Sequence, residues 1–135
     1  MCLYSHTKNF KKSKKNITCY KILRKITTFY GYTWYATPYM HTDVKDFGEE
    51  MKDEQELDVI SYSPYDHLIG AGGFHSFKYL SDAKSQLSWH INYTKDNYVI
   101  VKSIIPPNTD YIEGTFLNIP AYVSKKIVYK NVVKL

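Results

Sequence analysis

The sequence predicts an α+β protein: a single compact domain of six or seven short, mostly antiparallel strands, with one clear helix at about residues 81–91. Three observations lead to this prediction. The 135 residues suit one domain. Fourteen tyrosines help raise the aromatic fraction to 16%, and tyrosine favours strands. One stretch, Tyr79 to Ile91, repeats apolar residues at the spacing of a helix.

The first 16 residues form a basic N-terminal arm that we expect to be partly ordered and to bury little, ahead of a domain at residues 17–135. Residues 1–42 contain eight Lys or Arg and no acid. We favour an arm that is solvated or docks on the acidic segment, and nonspecific nucleic-acid binding is the alternative. The side chains that such binding would use are Lys11, Lys12, Lys14 and Lys15.

Two strands are predicted early in the domain, at about residues 18–24 and 27–36, because this stretch is dense in β-branched and aromatic residues. Pro38 ends the second strand, since proline cannot donate to a ladder. Residues 41–63 then form an acidic excursion, with a short helical turn within 49–57. An insertion of this length is often functional or mobile.

The second half begins with a loop at residues 63–73 and a short strand at 74–78. The helix follows, with Ser81 as its N-cap and an apolar face of Ala83, Leu87 and Ile91. The strongest strand spans 97–106 and is predicted to be central. A turn region leads to another short strand after it, and residues 121–135 supply one or two final strands.

Composition argues against several classes of protein. No run of about 18 apolar residues is present, so we expect no membrane partner. The N-terminus lacks the apolar core of a secretory signal, and two cysteines are no disulfide framework. A cytoplasmic location is therefore expected. His67, His75 and Asp66 follow no recognised ligand spacing, so no metal site is predicted, and no cofactor either.

The stretch Gly72-Gly73-Phe74-His75-Ser76 is the main candidate for a functional site. Glycines let a ligand approach the backbone, and a histidine at a strand start can contact a phosphate or act as a base. The glycines are not a P-loop, because GxxxxGK[ST] is absent. A structural histidine after an ordinary turn is the alternative. If the early strand pairs with this one, the predicted ligand-binding set is Tyr20, Lys21, Arg24, Gly72, Gly73, His75 and Ser76.

Several motifs in chain order carry a resemblance to known proteins. The chain begins MCL and continues with CYKIL at residues 19–23, GFHSF at 73–77, IPPNTDYIEG at 105–114 and YVSKKI at 122–127. It resembles small proteins of gut Bacteroidales and their phages. The resemblance implies a phage or mobile-element protein acting in the host cytoplasm, and it implies no particular activity.

The order of elements also resembles the ADP-ribosyltransferase fold, which holds NAD between two small sheets. Lys21 follows Tyr20 where that fold carries its first basic residue, and His75 and Ser76 stand on the middle strand. The last segment, Tyr122 to Val133, has no glutamate, whereas the fold carries its catalytic Glu there. We therefore assign no catalytic residue and expect a retained nucleotide pocket.

These observations predict a protein that binds a nucleotide-like anionic ligand without turning it over and sequesters a host defence signal. Two alternatives stay open. One is an NAD-using enzyme of ADP-ribosyltransferase type with Glu113 or a residue of the acidic excursion as its carboxylate. The other is a module that contacts a host protein through its acidic segment or basic arm. Homo-oligomerisation is also left open.

Overall fold

The structure, a computed structural model, describes residues 3–5, 10–37, 44, 47–53, 59–61, 67–69, 73–94 and 97–134. Within these residues it contains one helix and twelve strands. In chain order they are β1 (Leu3–Ser5), β2 (Lys11–Lys12), β3 (Ile17–Thr27), β4 (Thr33–Ala36), β5 (Glu50–Lys52), β6 (Val59–Ser61), β7 (His67–Ile69), β8 (Phe74–Phe77), α1 (Leu80–Thr94), β9 (Tyr98–Ile105), β10 (Asp110–Phe116), β11 (Ile119–Ser124) and β12 (Lys126–Val132).

All twelve strands belong to one antiparallel sheet, in the order β5-β12-β9-β3-β8-β11-β10-β1-β7-β6. The short strand β2 pairs with β10, and β4 pairs with β3. The mixed, mostly antiparallel class is confirmed, but the strand count exceeds the predicted six or seven. The long strand β3 lies near the middle and pairs with β9 along residues 17–24.

The sheet is strongly curled, so strands distant in its order come close in space. Asp53 directly follows β5 at one edge, and Gly73 directly precedes β8 in the middle. In a flat sheet four strand spacings would separate β5 from β8, about 19 Å. Yet the Gly73 amide donates to Asp53 Oδ2 at 2.6 Å. A single residue, Lys125, also joins β11 in one half of the sheet to β12 in the other.

The curl gives the central strands an inner face and a face covered by the helix. Cys19 and Leu23 of β3 point to the inner face and pack in the largest core cluster. The other members of that cluster are Val101, Ile105, Tyr122, Ile127 and Tyr129. Ile22 points the other way, to what we call the helix face, and packs with Phe77, Ile100 and two residues of α1.

Helix α1 forms where the spacing of apolar residues predicts it, one residue earlier and three later than the predicted bounds. Its buried side chains are Ala83 and Leu87, as predicted from the four-residue repeat. The side chain of Ile91 is outside the described residues. The helix begins at Leu80, so Ser81 lies inside the first turn and the N-cap prediction is wrong.

The N-terminal arm contributes to the folded core. Leu3 is only 1% exposed and packs with Ile112, Ala121 and Val123. Ser13 Oγ donates to the Pro106 carbonyl at 2.6 Å and accepts from the Thr109 amide at 2.9 Å. The expectation that this arm buries little is therefore wrong.

The described parts of the acidic excursion lie along the sheet. β5 pairs with β12, where Glu50 and Lys126 form an ion pair at 3.4 Å. Phe47 stacks on Tyr35 of β4 with ring centroids 5.3 Å apart. A helical turn was expected within 49–57, and residues 50–52 form a strand instead, because β12 offers them an unpaired edge. Residues 54–57 are outside the described residues.

Candidate functional site

Strand β3 presents two sets of side chains, because successive residues of a strand point to opposite faces of the sheet. Cys19, Lys21 and Leu23 share the inner face, and Cys19 and Leu23 are fully buried there. Tyr20 and Ile22 contribute to the helix-face cluster. Lys21 thus brings a cation to a largely apolar interior.

Strand β8 lies beside β3 and supplies the neighbours of Lys21. Tyr20 pairs with Phe77, so Ser76 lies opposite Lys21 on the inner face. The Lys21 Nζ donates to the main-chain carbonyl of His75 at 2.6 Å. The pairing on which the predicted site depends therefore exists, and it brings Lys21 to Ser76 and to the main-chain carbonyl of His75.

The other predicted residues lie elsewhere. By the same alternation, Tyr20, Arg24 and the His75 ring belong to the helix face, on the opposite side of the sheet from Lys21 and Ser76. The Gly73 amide already binds a carboxylate, that of Asp53. Gly73 has φ of +74°, which glycine adopts freely. Gly72 is outside the described residues.

Among the cations of the described residues, Lys21 is the one whose pKa departs furthest from its ordinary value. Burial lowers the pKa of its ammonium from the ordinary 10.5 to about 8. No carboxylate of the described residues forms an ion pair with it. Its one described hydrogen-bond acceptor is the neutral carbonyl of His75. The ammonium can therefore donate further hydrogen bonds to an anionic partner.

The Cys19 thiol lies two residues away on the same face. Burial raises its pKa to about 11, and the Ser76 hydroxyl and the Lys21 charge offset only part of that rise. The thiol is therefore protonated near neutral pH and is a poor nucleophile. Cys2, the other cysteine, is outside the described residues.

His75 is buried and uncharged at neutral pH. Burial, together with the charge of Lys21, lowers the pKa of its imidazole from 6.5 to about 3. Its Nε2 has no hydrogen-bond partner among the described residues. A neutral ring cannot hold a phosphate by charge, so the phosphate contact proposed for His75 in the sequence would have to be a hydrogen bond.

Sequence reasoning missed a group of hydroxyls on the inner face. Ser76 and Ser124 are fully buried, and Tyr129 is 1% exposed. None of their oxygens makes a hydrogen bond of normal geometry among the described residues. Buried polar groups nearly always have partners, so these oxygens indicate a polar ligand or water on the inner face, and Ser76 is the one of the three that strand pairing places next to Lys21. The two-residue alternation of β3, followed from Cys19 to Lys21, could have identified this face from the sequence. It could not have identified the other strands that contribute hydroxyls to the same face.

Glu113, the carboxylate considered for an enzyme, is already paired. It accepts from Lys78 Nζ at 2.7 Å, on a half-exposed part of β10. It lies opposite Tyr122 of β11, and Tyr122 lies opposite Ser76 of β8. Three strand spacings, about 14 Å, therefore separate Glu113 from Lys21 along the sheet.

The described residues contain neither a candidate membrane span nor a candidate metal cluster. No helix there is long and apolar enough to cross a membrane. No group of three His, Cys, Asp or Glu side chains there is placed to hold a metal ion. Asp66, one of the metal ligands considered in the sequence, is outside the described residues.

Comparison with known proteins adds no family. The sequence matches no family model, and no curated protein or solved structure shows significant similarity to it.

Proposed function

We propose that the protein binds a small, nucleotide-like anionic ligand at Lys21 and does not turn it over. The observation that carries this proposal is a partly buried ammonium whose one described acceptor is a neutral carbonyl. Burying a cation without an anion is costly. A ligand that supplies negative charge would offset this cost, and a phosphate oxygen is a suitable partner for the ammonium.

Three hydroxyls support the same site. Ser76 is the direct neighbour of Lys21 across the β3–β8 pair, and apart from its interaction with the Cys19 thiol its oxygen makes no hydrogen bond of normal geometry among the described residues. Ser124 and Tyr129 line the same face, and their hydroxyl oxygens also lack hydrogen-bond partners among the described residues. Hydroxyl donors on the same face of the sheet as the lysine suit an anion that carries several oxygen acceptors.

Tyr20, Arg24 and the His75 ring are not part of the proposed contact, because they belong to the helix face. We propose no turnover because neither the Cys19 thiol nor Glu113 is placed to act on the ligand. The Cys19 thiol is held protonated by its high pKa, and Glu113 is paired with Lys78. If the resemblance to phage proteins reflects ancestry, sequestration of a host defence signal is the role we propose.

The test begins with small molecules released by heat from the purified full chain and identified by mass spectrometry. Calorimetry then measures the affinity of the released molecule for wild type and for Lys21→Met. Loss of a charge-assisted contact costs about 1.5–3 kcal/mol, which is roughly ten- to a hundredfold in affinity. Lys25→Met is the matched control, since Lys25 is exposed on the same strand.

Equal affinity of wild type and Lys21→Met for the released molecule would contradict the site. Chemical conversion of that molecule, or of NAD, by the wild-type protein would instead support the enzymatic alternative. Release of no anionic molecule, with no binding of nucleoside phosphates added at millimolar concentration, would refute the proposed function itself.

A further inference from the structure

The turn between β3 and β4 carries the most exposed aromatic side chains of the described residues. Phe29 is 100% exposed, Tyr30 85% and Tyr32 73%. Trp34, the second residue of β4, is 37% exposed. Four aromatic rings at one hairpin end, which we call the aromatic tip, are too many to be scattered surface residues.

The backbone of the aromatic tip is held by its own hydrogen bonds. The Thr28 amide donates to the Tyr32 carbonyl at 2.7 Å, and the Gly31 amide donates to the Thr28 carbonyl at 3.0 Å. The Tyr32 amide also donates to the Thr28 hydroxyl at 3.0 Å. The rings are therefore presented on an ordered turn, and binding through them costs little ordering of the chain.

Side chains along the hairpin change in a definite order from its end to its base. Phe29 and Tyr30 stand at the end, Trp34 pairs with Ile26 farther down, and the exposed Lys25 follows. Lys25 lies three residues from Thr28, about 10 Å along the strand. Along the hairpin, apolar rings are thus followed by amphipathic rings and then by a cation. Proteins that lie at a bilayer surface place these groups in the same order from the acyl boundary to the headgroups.

A second cation lies at the same end of the sheet. The Val133 amide donates to the Ile100 carbonyl at 2.8 Å, which places the exposed Lys134 near the start of β9. Arg24 of β3 pairs with Tyr98 at that same start. Positive charge behind an apolar end complements the negative surface of anionic lipid.

The ring geometry disfavours single-stranded nucleic acid as the occupant. The Phe29 and Tyr30 rings are nearly perpendicular, at 87°, with centroids 5.9 Å apart. Successive bases need ring faces on which they can stack in sequence. The lysine cluster of the arm also lies at the far end of β3, where Ile17 pairs with Ile105.

We propose that the aromatic tip docks on the surface of a bilayer that contains anionic lipid, with Phe29 and Tyr30 entering the acyl boundary and Lys25 at the headgroups. An insertion of about 5–10 Å is usual for interfacial segments and matches the distance from the turn to Lys25. The lack of an apolar span in the sequence concerns crossing and leaves surface docking open. This inference is independent of the ligand site on the inner face.

The experiment is cosedimentation of the full chain with vesicles of phosphatidylcholine alone and with 30% phosphatidylserine (about the level that gives a strong surface charge). Wild type is expected to bind the anionic vesicles more tightly. Replacing both Phe29 and Tyr30 with serine should weaken the partition coefficient by about tenfold or more, since each ring loses its burial. Leu117→Asn is the matched control, an apolar residue 68% exposed at another turn.

A spectroscopic arm reports the depth of the tip. The chain has two tryptophans, so Trp89→Phe leaves Trp34 as the only one. Its emission should shift to the blue when the protein binds vesicles, and brominated lipids should quench it. Absence of binding to both vesicle types overturns the proposal, as does equal binding by the double serine variant. Tip-dependent binding of oligodeoxythymidylate without vesicle binding also overturns it and assigns the tip to nucleic acid.

Discussion

Lys21 should make the stability of the protein rise with pH in a window set by its own titration. Burial lowers the pKa of Lys21 from 10.5 in the unfolded chain to about 8 in the folded one. Between those values the unfolded state binds more protons, so raising the pH favours the folded state. Below pH 8 both states carry the charge, and the folded state bears its full desolvation cost.

The size of the effect follows from the two pKa values. Integrated from pH 7 to pH 9, the shift of Lys21 adds about 1 kcal/mol to the free energy of unfolding. Lys21→Met removes this contribution. It also leaves the His75 carbonyl without its donor, and that loss does not depend on pH. The slope against pH is therefore the informative quantity, and the absolute stability is not.

The assay is urea denaturation of wild type and Lys21→Met at several pH values from 7 to 9. Stopping at pH 9 limits the contribution of Cys19, whose pKa is about 11 in the folded state. Wild type should gain about 1 kcal/mol relative to the variant over this range. Lys25→Met should follow wild type. Parallel profiles for wild type and Lys21→Met would refute a desolvated Lys21 and weaken the ligand site built on it.

Four further outcomes are expected. Leu3→Ala should lower the free energy of unfolding by about 2–5 kcal/mol in urea denaturation, and a loss below 1 kcal/mol would show that the arm is not anchored. Ser13→Ala should cost about 1–3 kcal/mol, because two buried main-chain groups lose their partner, and hydrogen exchange nearby should quicken. In a Cys2→Ser background, Cys19 should stay unreactive to Ellman's reagent at pH 8 until urea is added; rapid labelling of the folded chain would contradict its burial. His75→Gln should reduce the loss of stability as the pH falls from 6.5 towards 3, because His75 binds a proton over this range in the unfolded chain and not in the folded one. An unchanged loss of stability at acid pH would mean that His75 is charged in the folded chain.

Much of the fold can be predicted from the sequence where local pattern and burial agree. The run from Tyr98 to Ile105 is the most apolar of the predicted strands, and it forms β9 near the middle of the sheet. The spacing of Ala83 and Leu87 determines the buried side of α1. Strands such as Glu50–Lys52 could not be predicted, because their residues do not favour strands and the edge of β12 decides their conformation.

The candidate site was predictable only in part. The two motif strands do pair, and Ser76 lies next to Lys21, but His75 meets Lys21 only through its main-chain carbonyl. Grouping Tyr20 and Arg24 with Lys21 conflicts with the two-residue period of a strand, which the sequence already contains. Ser124 and Tyr129 reach the inner face from distant strands, and no local pattern in the sequence encodes which strands contribute to that face.

The position of β3 has a consequence for synthesis of the protein on the ribosome. Ser13, just before β3, finds its partner Pro106 only 93 residues later. At 5–20 residues per second, that delay is roughly 5 to 20 s. During this time β9 has not been synthesised, so the edge of β3 that pairs with it stays exposed in the nascent chain. A chaperone that binds short apolar strands would therefore be expected to raise the soluble yield, and truncations that remove β9 onward should leave the rest unfolded.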